Sequence, residues 1–156
     1  MTDRLVIGVG NADRGDDAAG LIAAGFVADA GLDGVRVIRS AAEPQGLMEA
    51  WRGVPAVWLV DACVPMTRAG AVHRFEAHAA PLPERLGALS SHGISLATTI
   101  ELARALGALP PRLTVYAIEA AAFAPGGRIT PAVAEAARRV ADEICAELAA
   151  PAEPAG

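Results

Sequence analysis

Residues 5–20 carry the sequence LVIGVGNADRGDDAAG, which predicts a buried strand, a tight turn and the start of a helix. The apolar run Leu5–Val9 indicates the strand, and the glycines that close it are typical of a turn. Asp16 and Asp17 then precede an Ala-rich stretch that extends to Ala30. Acidic side chains favour the first turn of a helix, because they face unpaired N–H groups and the positive end of the helix dipole. The chain therefore begins with a strand–turn–helix unit.

The same alternation of strand and helix continues along the chain. Further strands are predicted at Val35–Ile38, Ala56–Val60, Ala71–Phe75 and Leu113–Ile118. Helical patterns cover 44–51, Ser95–Leu106 and a final helix that begins at Thr130 and Pro131, with an apolar stripe from Val133 to Leu148. Alternating strands and helices indicate an α/β fold with a mainly parallel sheet between helices.

Length and composition narrow the class of protein. The chain has 156 residues, a formal net charge of −5 and 13 basic residues, all of them arginine. This length fits one domain, which we assign to residues 1–150, with 151–156 as a frayed tail. An acidic chain without a basic cluster indicates no nucleic-acid or anionic-membrane partner, and no apolar run approaches the ~20 residues of a membrane-spanning helix. Two cysteines that form no CxxC pair, together with the lack of an export signal, predict a cytoplasmic protein.

Three residues predict a cation site at one edge of the sheet. Asp17 lies just beyond the first strand and Asp61 directly follows Ala56–Val60, so both belong to the carboxyl edge, where ligands of open α/β sheets bind. His92 precedes the helix that starts at Ser95, and the dipole at a helix N-terminus keeps an imidazole neutral and able to bind metal. Two carboxylates and one imidazole suit a divalent ion such as Zn²⁺ or Ni²⁺.

Other interpretations of these residues stay open at this point. Each of the three has a purely structural alternative, as a helix cap, a strand terminator or a loop histidine. The Gly8-Val9-Gly10 turn matches the first two glycines of a dinucleotide-binding GxGxxG motif, but the third position is Asp13 and acidic residues occupy the place of a pyrophosphate. A covalent peptidase, with Cys63 as nucleophile and His92 as base, is a further alternative.

The order of these motifs resembles that of the nickel–iron hydrogenase maturation endopeptidases over nearly the whole chain. The most specific part is the pattern GxGNxxxGDDxxG at residues 8–20, with a later Asp61-Ala62 and Ser91-His92. Weaker matches lie at 70–75 (GAVHRF), 117–119 (AIE) and 129–133 (ITPAV).

The resemblance implies an α/β/α sandwich around a mainly parallel, twisted sheet with one antiparallel strand. It also implies an endopeptidase that removes the C-terminal extension of a nickel–iron hydrogenase large-subunit precursor after nickel insertion. In that family nickel presented by the precursor is the recognition element, so the resemblance places Asp17, Asp61 and His92 at metal-contacting and catalytic positions and implies no permanent cofactor. We expect a monomer.

Two other functions fit the same residues. A non-catalytic chaperone that binds the nickel-loaded precursor would use the same recognition site. A nucleotide-binding module is the other alternative, on the strength of the first glycine-rich turn.

Overall fold

One five-stranded sheet forms the centre of the molecule. The computed structural model describes residues 3–41, 43–83, 96–121 and 126–150. The strands are β1 (Arg4–Val9), β2 (Val35–Ser40), β3 (Ala56–Cys63), β4 (Val72–Glu76) and β5 (Arg112–Glu119). The helices are α1 (Ala19–Asp29), α2 (Pro44–Trp51), α3 (Leu96–Ala105) and α4 (Pro131–Ala149), with a 3-10 turn at Gly15–Ala18 before α1.

The sheet is parallel except at one edge. Its strand order is β2-β1-β3-β5-β4. β1 pairs in parallel with β2 and β3, and β3 pairs in parallel with β5, whereas β4 runs antiparallel to β5. Helices cover both faces of the sheet. The predicted α/β/α sandwich with a mainly parallel sheet and one antiparallel strand is therefore confirmed.

Side-chain alternation along the strands divides the core into two layers, one on each face of the sheet. One layer joins β1, β3 and β5 to α2 and α3, and its members include Leu5, Ile7, Leu47, Leu59, Ile100 and Leu113. The other joins the same strands to α1 and α4, and its members include Val6, Ala23, Val60, Ile118, Val140 and Ile144. Because the central strands are buried on both faces, they are continuously apolar, as parallel strands in this fold class are.

β3 is longer than the sequence predicts. The prediction ended this strand at Val60 because a charged residue follows, but β3 continues through Asp61 to Cys63. The reason is the neighbouring strand β5, which stays paired with β3 up to Cys63 opposite Glu119. On its other side, β3 pairs with β1 only as far as Val60, which lies opposite Gly8. Asp61 therefore occupies the first position at which β3 has lost one neighbour and kept the other.

Three of the sequence-based predictions fall outside the described residues. His92 and the predicted helix start at Ser95 belong to 84–95, and the predicted tail is 151–156. The described part of the third predicted helix, α3, agrees with the pattern that predicted it.

Candidate active site

Three glycines bring β1, the turn after it and α1 into direct backbone contact. A Cβ atom added at Gly8 would overlap the carbonyl oxygen of Gly20, and one added at Gly20 would overlap the carbonyl oxygen of Val60 on β3. A Cβ at Gly10 would meet the backbone carbonyl of Asp17. Glycine is therefore needed at these positions because the helix lies against the strand ends without intervening side chains. This contact places Asp17 at the carboxyl edge of β1 and β3.

The two neighbouring aspartates of the turn have different roles. The fully buried carboxylate of Asp16 accepts the backbone N–H of Ala121 at 2.7 Å and both the N–H and the hydroxyl of Thr130, at 2.6 and 2.8 Å. These bonds tie the 3-10 turn to the connection between β5 and α4. Asp16 and Asp17 lie in the 3-10 turn itself, and the residues at the N-cap positions of this turn and of α1, Arg14 and Ala18, make no side-chain capping bond. Thr130 occupies the N-cap position of α4, as its place before Pro131 suggests, but its hydroxyl donates to Asp16 and makes no capping bond.

Asp17 and Asp61 lie close enough for their charges to interact. Asp17 is only 2% exposed, and Asp61 is partly buried at the end of β3. Burial, and then the negative charge of Asp17, raise the pKa of Asp61 to about 8, although the N–H of Ala62, which donates to its Oδ1 at 2.8 Å, acts in the opposite direction. A carboxyl group with so high a pKa is typical of a functional position.

The pair offers two oxygen-bearing ligands to a cation. Within the described ranges, no group of three or more His, Cys, Asp or Glu side chains is arranged to hold a metal ion. Asp17 and Asp61 are two of the three predicted ligands, and His92, the predicted third, belongs to the range that is not described. The three-residue site therefore stays a prediction, of which the structure brings two members to one edge of the sheet.

Cys63 follows two residues after Asp61 but is unsuited to nucleophilic attack. Its thiol is buried, and burial, followed by the charges of Glu119 and Asp61, raises its pKa to about 12. The thiolate is the nucleophilic form of cysteine, and that form is suppressed at neutral pH. This environment argues against the covalent alternative.

The glycine-rich turn uses its own amides instead of presenting them to a ligand. The N–H of Gly10 donates to the carbonyl of Ser40 at 3.0 Å, and the N–H of Asn11 donates to the carbonyl of Asp17 at 3.3 Å. Phosphate binding at such a turn requires backbone N–H groups that point at the anion. The nucleotide-binding alternative is therefore disfavoured by the hydrogen bonds of the turn as well as by its charge.

In the part of the chain described here, no helix is both long and apolar enough to span a bilayer.

The sheet order and the helices on both faces define the fold of the solved hydrogenase maturation endopeptidases. The endopeptidase HybD from E. coli has 23% identity with the chain and a TM-score of 0.69, over 93% of this chain and 91% of that one. The hydrogenase maturation protease HycI from Thermococcus kodakarensis has 22% identity and a TM-score of 0.70, over 94% and 92%. The endopeptidase HycI from E. coli has 20% identity and a TM-score of 0.71, over 91% of this chain and 88% of that one. No curated protein sequence is a significant match.

The sequence itself supplies the family. The family model for HycI, hydrogenase maturation protease, matches residues 26–147, and the chain belongs to this family. It is accordingly a peptidase of the hydrogenase-maturation class. The matched range includes Asp61 and His92 and begins after Asp17. Asp17 lies outside the matched range, so its position at the edge of the sheet is known from the contact between β1 and α1 and not from the family match.

Proposed function

We propose that this peptidase removes the C-terminal extension of a nickel–iron hydrogenase large-subunit precursor, and that nickel carried by the precursor is what it recognises. Asp17, Asp61 and His92 would contact that nickel. The protein itself would hold no permanent metal, since the ion arrives with the substrate and leaves with it. The precursor is the proposed partner, and the chain acts as a monomer.

The observation that carries this proposal is the pair of acidic side chains at the carboxyl edge of β1 and β3. The pKa of Asp61 is raised by burial and, to a smaller extent, by repulsion between its carboxylate and that of Asp17. A divalent cation between them would relieve this repulsion. The pair therefore favours a precursor that already carries nickel over an empty one, which makes cleavage a checkpoint for metal insertion.

In the proposed reaction, water attacks the carbonyl carbon of the scissile peptide bond. The C–N bond then breaks, leaving a new carboxylate on the large subunit and a free amine on the released extension. Nickel in the precursor would position the scissile region and polarise its carbonyl. Asp17 and Asp61 would hold that nickel in place, and the proton lost by the attacking water would pass to the leaving amine.

The test is cleavage of purified precursor with and without nickel, followed by mass spectrometry. We expect the chain to shorten the nickel-loaded precursor at its C-terminus and to leave the nickel-free one intact. Equal cleavage of both would contradict the checkpoint. An unchanged precursor mass with tight binding would indicate the non-catalytic chaperone instead.

The site residues are tested in the same assay. Replacement of Asp17, Asp61 or His92 by Ala should lower processing at least about 10²-fold, as expected when a group that binds the reacting centre is lost. Glu143→Ala, which removes an exposed acid from α4, is the matched control and should retain normal cleavage. Circular dichroism of each variant shows whether the fold is kept.

The compartment is part of the same proposal. Cys63 and Cys145 are both free thiols, which suits the reducing environment of the cytoplasm.

A further inference from the structure

The connection between β3 and β4 crosses the end of β5 at the same edge of the sheet as Asp61. β4 pairs with β5 and not with β3, so residues 64–71, the 64–71 loop, must pass over the carboxyl end of β5. The loop begins three residues after Asp61, and it leaves Thr67 and Arg68 exposed. It is therefore a rim of the region in which the carboxylate pair lies.

One buried side chain holds this rim. Glu119, the last residue of β5, is 0% exposed. Its Oε1 accepts the three consecutive backbone N–H groups of residues 66–68, at 2.6, 2.6 and 3.2 Å. Its Oε2 accepts the hydroxyl of Thr67 at 2.9 Å and lies 2.7 Å from Nε2 of His73. At the far end of the loop, the N–H of Gly70 donates to the carbonyl oxygen of Glu119, and the N–H of Glu119 donates to the carbonyl oxygen of Ala71.

These hydrogen bonds keep the carboxylate charged in spite of its surroundings. Burial acts to raise the pKa of Glu119, but the bonds from His73, Thr67 and Met66 outweigh it and lower the pKa to about 2. The anchor is consequently ionised throughout the physiological range. A loop that only connected two strands would not require a buried charge, because water ordinarily satisfies exposed loop amides. Burying the carboxylate of Glu119 costs free energy, so the fixed position of the loop calls for another explanation.

We propose that Glu119 is a positioning residue, which fixes the 64–71 loop as a wall of the precursor-binding site beside Asp61. This inference rests on the proposed function and adds to it the element that receives the precursor polypeptide. The side chain of Glu119 faces inward and touches no substrate. It acts through the backbone of residues 66–68, whose outer side, with Thr67 and Arg68, is available to the precursor.

The test uses the full chain and nickel-loaded precursor, with Kd, KM and kcat measured separately. Glu119→Met removes every acceptor at similar volume, and Glu119→Gln keeps one oxygen for the three N–H groups. We expect Kd and KM to rise about tenfold for Glu119→Met and less for Glu119→Gln, with kcat changed less than about threefold, because the wall contributes to binding more than to the chemical step.

His78→Ala is the matched control. Nδ1 of His78 accepts the N–H of Leu113 at 3.0 Å, so it too is a side-chain acceptor for backbone, but at the opposite end of β5. A merely structural role for Glu119 would make the Glu119 and His78 variants alike, with lowered melting temperatures and unchanged Kd and KM, and that result would overturn the proposal. If Glu119→Met does not fold, Glu119→Gln decides by the same criterion.

The measurements separate this inference from the proposed function. A wild-type chain that binds the precursor without shortening it contradicts the proposed cleavage, while the Kd values of the variants still support or overturn the role of Glu119. Cleavage by the wild type together with equal Kd for all variants overturns the role of Glu119 and leaves the proposed function in place.

Discussion

Asp61 carries a carboxyl group at a position where folding disfavours its charge. Its pKa rises from 3.8 to about 8 in the folded chain, through burial first and Asp17 second. Between these two values the native state binds more protons at Asp61 than the unfolded state does. Stability contributed by this residue therefore falls as the pH rises from about 4 to about 8. Such a cost is expected where a residue is retained for binding or catalysis.

Asp61→Asn should separate stability from activity. The amide cannot ionise, so the free energy of unfolding of the variant should exceed that of the wild type by an amount that grows between pH 5 and pH 8, by at most about 1.4 kcal/mol per pH unit. Denaturant unfolding at several pH values measures this difference. A difference that stays constant with pH would mean that Asp61 is not shifted. Precursor cleavage by Asp61→Asn should be lost in the same preparation.

Cys63→Ala should leave cleavage intact, although Cys63 lies close to Asp61 in the chain. The thiol is buried with a pKa of about 12, so no thiolate is available to attack a peptide bond at neutral pH. We expect cleavage of the precursor within about twofold of wild type and a small loss of stability, about 1 kcal/mol, from the missing sulfur atom. Loss of cleavage in a folded Cys63→Ala protein would restore the covalent mechanism.

The sequence predicts some of these residue-scale roles and misses others, for a physical reason. Asp17 and Asp61 are predictable because each follows an apolar strand and the carboxyl ends of parallel strands share one edge. The anchoring role of Asp16 is not, because its hydrogen-bond donors, in Ala121 and Thr130, are more than 100 residues away along the chain. Glu119 is similar, since the sequence shows an acid at a strand end and nothing of the loop that folds over it.

At the scale of elements, the position of the site depends on how closely α1 approaches the sheet. Gly20 lies against the backbone carbonyls of Val9 and Val60, and Gly8 lies against Gly20 from the strand side. The helix thereby contacts β1 and β3 at once. Asp17, at the start of this contact, is held by backbone packing on two strands.

Gly20→Ala should destabilise the protein, although Ala is ordinarily the better residue in a helix. The new methyl group would overlap two carbonyl oxygens, and overpacking of this kind costs about 3 kcal/mol. Gly25→Ala in the same helix is the control, because its Cβ would meet only the movable end of Arg39 at 3.3 Å and should gain about 1 kcal/mol in helix propensity. Thermal unfolding of both variants checks the prediction, and equal melting temperatures would contradict it.

The hydrophobic pattern of the sequence predicts where the strands lie better than it predicts which strands pair with each other. Apolar runs locate β1, β3 and β5, and short apolar segments interrupted by charged residues locate β2 and β4. A run such as Leu113–Ile118 does not, however, indicate which strands lie beside it. β3 was predicted to end at Val60 because the charge of Asp61 looked like a terminator, whereas pairing with β5 carries the strand on to Cys63. An antiparallel strand is expected from the family resemblance, but its place at the edge, beside β5, follows only from the tertiary structure.

At the scale of the whole molecule, the net charge is −5, and several of the acidic residues lie towards one edge of the sheet. Four acidic side chains lie towards the carboxyl edge of the sheet, and they are of two kinds. Asp16 and Glu119 accept hydrogen bonds that fix loops, whereas the charges of Asp17 and Asp61 repel each other. A site of this construction gains most from a partner that brings positive charge.

This arrangement predicts how the affinity for the nickel-loaded precursor changes with pH. Nickel binds the deprotonated carboxylate, so binding below pH 8 must release the proton that Asp61 holds. The Kd should therefore fall by up to about tenfold for each unit of pH between 6 and 8, and level off above the pKa. Calorimetric titration at several pH values measures both the Kd and the released proton.

The controls for this prediction are a ligand and a variant. Nickel-free precursor should bind weakly and with little dependence on pH over the same range, because no cation displaces the proton. Asp61→Asn should bind the nickel-loaded precursor with a smaller dependence on pH between 7 and 8, since the group with a pKa of about 8 is gone. A wild-type affinity that is independent of pH between 6 and 8 would show that Asp61 does not contact the ion, and would leave charge recognition to Asp17 and residues beyond the carboxylate pair.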